Sequence, residues 1–148
     1  MEKNISPEKK LSPGKIAGII FCTAAAVCTV ILLFISGYFS GQMKTIDKFF
    51  TAAERSDFNS YKACFSKSVS AELTESDLQA ARSIAAVLDD PEEFKTDVSF
   101  AGRQKLGSGR YSVTFDITVY NDSESEKIPN VTRVLTRDGG KWVLEVTD

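Results

Sequence analysis

Hydrophobic positions along the chain follow three successive patterns. The first is a continuous run: nothing charged lies between Lys15 and Lys44, and the run holds Ile19-Ile20-Phe21 and Val30-Ile31-Leu32-Leu33-Phe34-Ile35. Its core, 16–39, would extend about 36 Å as a helix, against a hydrocarbon thickness of about 30 Å. The pattern predicts one transmembrane helix.

The second pattern has the period of an amphipathic helix. Met43, Ile46, Phe49, Phe50 and Ala53 share one face until Arg55-Ser56-Asp57 interrupts it. Asp57 is placed to cap a short second helix through Phe58, Tyr61, Cys64 and Phe65. A third helix begins near Thr74, with Asp77 three residues on, and carries Leu78, Ala81, Ile84, Ala85 and Leu88 on one side. Pro91 ends it, because the residue before a proline is driven out of helical dihedrals.

Beyond Pro91 the period becomes two. Phe94, Val98 and Phe100 define one face, and Tyr111, Val113, Phe115, Ile117 and Val119 alternate with polar residues. Gly107-Ser108-Gly109 makes a turn, 121–127 a longer polar turn, and Asp138-Gly139-Gly140 a tight one before a strand with Trp142, Leu144 and Val146 on one face. The stretch 128–137 alternates poorly, as expected of a bulged or edge strand. The expected fold is α+β: three helices on one face of a curved, cone-shaped, four-stranded antiparallel sheet, preceded by one transmembrane helix.

Charge sets the orientation. Lys3, Lys9, Lys10 and Lys15 precede the span, while Lys44, Lys48 and Arg55 follow it among acidic residues, so the tail 1–15 is expected to stay cytoplasmic and 42–148 to be exported. The tail is too poor in apolar residues to fold. A cleavable signal peptide is the alternative, kept open by Ser36-Gly37; a lipoprotein anchor is excluded because Phe21 precedes Cys22 and Val27 precedes Cys28. Gly14, Gly18, Cys22 and Ala26 recur every fourth residue and Gly37 and Gly41 form a second such pair, a pattern that lets helices self-associate closely in a membrane.

The segment 42–148 carries 14 basic and 18 acidic side chains, which disfavours nucleic acid as a partner. Cys64 is its one cysteine, so no disulfide forms within it; helix-period neighbours Phe58, Tyr61 and Phe65 make a buried thiol the expectation, with an intermolecular bridge the alternative.

The element order, the opening 47–58 (DKFFTAAERSDF) and the closing 138–144 (DGGKWVL) resemble the nuclear transport factor 2-like superfamily, in particular its small membrane-tethered or lipoprotein members exported by bacteria. The resemblance spans about 46–146. It implies a cone in which Phe50, Phe100, Phe115 and Trp142 would line any pocket. The layout is also similar to the inner-membrane scaffold subunit of type IV secretion and conjugation machines.

Enzymes of that superfamily place Asp, His or Tyr inside the cone. This chain has no histidine, so proton transfer by imidazole is excluded. Asp116 lies between Thr114 and Thr118 on the polar side of its strand, and Tyr111 and Tyr120 read as packing or rim residues. The acidic run 89–93 lacks the glycine and spaced ligands of a calcium loop and reads as a solvated helix end; Asp122, Glu124 and Glu126 read as protection for an exposed turn. Asn121-Asp122-Ser123 and Asn130-Val131-Thr132 match a glycosylation acceptor that matters only on a eukaryotic secretory route. No catalytic, metal or cofactor residues are assigned. The expected function is a non-enzymatic interaction or assembly module at the cell envelope with a protein partner, the alternative being a small apolar ligand or lipid held in the cone.

Overall fold

A computed structural model describes residues 41–146. The expected tail, the expected span 16–39 and the spaced small residues Gly14, Gly18, Cys22, Ala26 and Gly37 lie outside the described residues. Among the described residues no helix is long and apolar enough to cross a membrane.

The first helix, α1, covers 41–54. Its buried face carries Ile46, Phe49, Phe50 and Ala53 as the period requires, and adds Gln42 and Ala52; Met43 is only half-buried. The helix stops in a Schellman motif. Ser56 takes a left-handed backbone (φ 53°), its amide donates to Ala53 O at 3.2 Å, and the Asp57 amide donates to Ala52 O at 2.9 Å. Asp57 then starts α2 (Phe58–Lys62) by accepting from the Ser60 amide at 3.0 Å.

Helix α2 is shorter than the sequence pattern implies. Phe65 leaves it and forms a parallel bridge with Leu144, whose amide donates to Cys64 O at 2.8 Å. An unexpected helix follows, α3 (Lys67–Glu72), started by Ser66 and burying no residue. With no apolar stripe it leaves no periodic signal; only the Ser66 cap announces it. Helix α4 (Glu75–Arg82) begins where expected, with Asp77 Oδ2 accepting from both the amide and the hydroxyl of Thr74 at 2.7 Å. The remainder of the expected third helix, Ser83–Val87, is a 3₁₀ turn that buries Ala85 and is followed by buried Leu88.

Four antiparallel strands follow in the order β1-β2-β3-β4: β1 (Lys95–Gly107), β2 (Arg110–Tyr120), β3 (Ser125–Asp138) and β4 (Lys141–Leu144). The fold is therefore α+β, with four helices before an open antiparallel sheet. On β2 the residues Val113, Phe115, Ile117 and Val119 are fully buried and the intervening ones are half-buried, so the helices cover one face. Gly139 and Gly140, both at positive φ (55° and 82°), close β3 onto β4 in the two-residue turn whose twist suits a hairpin.

Three register shifts shape the sheet, one of them at Leu106, between the pairs Lys105↔Tyr111 and Gly107↔Arg110. Ala101 is the extra residue between the pairs Phe100↔Phe115 and Gly102↔Thr114. On β3 the slip lies between Val131, opposite Phe115, and Ile128, opposite Ile117; there Asn130 has φ 58°. The poor alternation of 128–137 thus records both a bulge and a partial edge: β4 flanks β3 only over Leu135–Asp138, and 128–134 pairs with β2 alone. Val146 does not continue the face of Trp142 and Leu144: β4 ends at Leu144 and Val146 is 61% exposed.

Candidate functional site

Beneath the helices an aromatic group packs on Phe115, beside the aliphatic Val113, Ile117, Val119 and Leu135 of the buried sheet face. Phe50 meets Phe115 edge-on with ring centroids 6.0 Å apart, and Phe49 packs on Phe50 at 5.0 Å and on Tyr61 at 5.2 Å. Each ring pair adds about 0.5–1.5 kcal/mol beyond its area burial. Trp142 belongs to a neighbouring group: Tyr111 stands against it at 5.7 Å, Arg137 lies over its ring at 5.1 Å, and Arg103 lies over Tyr111 at 5.5 Å.

Of the four residues expected to line a pocket, Phe50 and Phe115 are in contact and buried. Trp142 is buried in the adjacent cluster, and Phe100 is 46% exposed. Phe100 sits on the edge strand β1 directly before the Ala101 bulge. The helical layer is tied to β1 near the strand's start, where the Thr96 amide donates to Glu54 Oε1 at 2.6 Å. Phe100 stands opposite Phe115 in the β1–β2 ladder and is the exposed member of the four.

One interior group stands out chemically. Gln42, one turn before Ile46 on the sheet-facing side of α1, is fully buried, and neither atom of its amide has a hydrogen-bond partner among the described residues. An amide buried without a partner costs about 1–3 kcal/mol. The apolar periodicity could not signal it, because a glutamine beside Gly41 and Met43 reads as a solvated position.

Several carboxylates are tied to backbone and neighbours. Asp116 accepts from Lys127 Nζ at 2.7 Å and from the Asn130 amide at the bulge at 3.0 Å, and these bonds hold its pKa below the usual range. Asp57 and Asp77 are lowered by the amides they cap. Glu145 is lowered by its two-pronged contact with Arg110, at 2.8 and 2.6 Å. Burial raises the Tyr61 hydroxyl, which donates to Asp77 O, and pushes the Cys64 thiol up to about 11. Cys64 is a buried free cysteine, 1% exposed.

A solvent-open cleft of about 890 Å³ lies where the end of α1 meets the 89–93 loop and the β2–β3 turn, edged by Glu54, Glu92, Glu93, Phe94, Tyr120 and Asp122. Its walls are fastened together by Asn121, whose Oδ1 accepts from the Ser123 and Glu124 amides at 2.9 Å while its Nδ2 donates to Asp90 O at 3.0 Å. Glu124 Oε1 accepts from the Asp90 amide at 3.2 Å, which lowers the Glu124 pKa. The two acidic stretches that looked like separate solvated features are thus neighbours. Among the described residues no group of acidic or cysteine side chains is arranged to hold a metal ion.

No protein-family model matches the chain, and no curated protein matches it. Among solved structures it is similar to a Thiobacillus denitrificans chain described as a calcium/calmodulin-dependent protein kinase type II association domain, at 16% identity and a TM-score of 0.46, over 68% of this chain and 86% of that one. Nothing about activity or partners follows from a likeness of that strength.

Proposed function

We propose that this chain is a single-pass membrane-anchored protein whose exported domain, a member of the nuclear transport factor 2-like superfamily, acts as a non-enzymatic interaction or assembly module at the cell envelope. The observation that carries this reading is the role of the carboxylates. Asp57 and Asp77 cap helices, Asp116 holds a bulge, Glu124 fastens a loop and Glu145 pairs with Arg110. All five are committed to bonds that hold the fold together. The aromatic packing beneath the helices supports the same reading, as do the uncharged run 16–39 and the absence of histidine.

The test is photo-crosslinking in living cells from exposed positions such as Gln104 and Thr132, followed by mass spectrometry. A stoichiometric envelope protein adduct is expected. No protein adduct, with a small molecule co-purifying, would overturn the reading. Orientation is checked by labelling Ser123→Cys with a membrane-impermeant maleimide; labelling only after lysis would reverse the proposed topology.

A second reading, a small apolar or lipid ligand in the cone, is favoured by one observation: the orphaned amide of Gln42, which could meet the polar end of such a ligand. Native mass spectrometry of protein purified from its own membranes tests it, a stoichiometric adduct lost in Gln42→Met being the supporting result.

A further inference from the structure

We draw no further inference here: the strongest candidate, the open cleft between the end of α1, the 89–93 loop and the β2–β3 turn, is edged by carboxylates together with Arg55, Lys95 and Tyr120, and nothing among the described residues shows what would occupy it.

Discussion

Gly41 lies so close to Trp142 that a Cβ on the glycine would stand 2.9 Å from Cδ1 of the indole ring. The contact brings the start of α1 onto β4, and Thr45, one turn later, donates its hydroxyl to Trp142 O at 3.1 Å. A glycine that the sequence pattern pairs with Gly37 for helix association thus serves close packing inside the domain. Gly41→Ala should lose about 1–3 kcal/mol to overpacking. Urea unfolding should show a loss that disappears in a Trp142→Leu background; an equal change in both backgrounds would refute the steric account.

Arg82 links α4 to the end of α1 and to Phe94 just before β1. Its Nη1 donates to Ala53 O at 2.7 Å and Glu54 O at 2.8 Å, two carbonyls at the end of α1, and its guanidinium lies over Phe94 at 5.3 Å. Arg82→Ala leaves those carbonyls without the charged donor and should cost about 2–3 kcal/mol. Arg82→Lys should recover less than half, since an ammonium does not reproduce the planar fork. Denaturant midpoints of the two variants decide it.

At Ser56, the left-handed backbone is where glycine is preferred. Ser56→Gly should stabilise the domain by about 0.5 kcal/mol, the relief of Cβ strain exceeding the extra entropy of an unfolded glycine. Ser56→Val should destabilise it, and thermal melts of both variants check the sign.

For Gln42 the expected direction separates the two functional readings. In a dry interior, Gln42→Met removes an unpartnered amide at similar volume and should raise stability by about 1–3 kcal/mol. A loss of stability would mean that the amide is bonded to something in the protein as purified.

Two pH effects follow from the displaced groups. Asp57, Asp77, Asp116, Glu124 and Glu145 all have lowered pKa values in the folded state. Their contribution is present above the ordinary carboxylate range, about pH 4, and is lost as the pH falls through the lowered values. Cys64 runs the other way: its contribution is whole below the ordinary thiol pKa and is lost as the pH rises toward about 11. At pH 8 the folded protein should react with iodoacetamide far more slowly than the urea-unfolded chain. Equal rates would place the thiol at the surface.

What the sequence determined by itself were the local decisions. Period-two alternation places Val113, Phe115, Ile117 and Val119 on the buried face, and Asp57, Thr74 with Asp77, and Gly139-Gly140 mark boundaries. Each rests on groups a few residues apart, whose geometry neighbouring dihedrals fix. Tertiary structure decided where local preference was weak or outweighed. Phe65 left its helix because Leu144 offered a strand partner. Phe100 keeps the period of a core residue and is nevertheless exposed, because it lies on an edge strand beside a bulge. Gln42 is buried although polar, on the same face of α1 as Ile46, Phe49 and Phe50. The acidic stretches 89–93 and 122–126 became two sides of one cleft only when β2 returned the chain to the end of α1. Burial and proximity across many residues depend on which surfaces meet, and no short window of sequence contains that information.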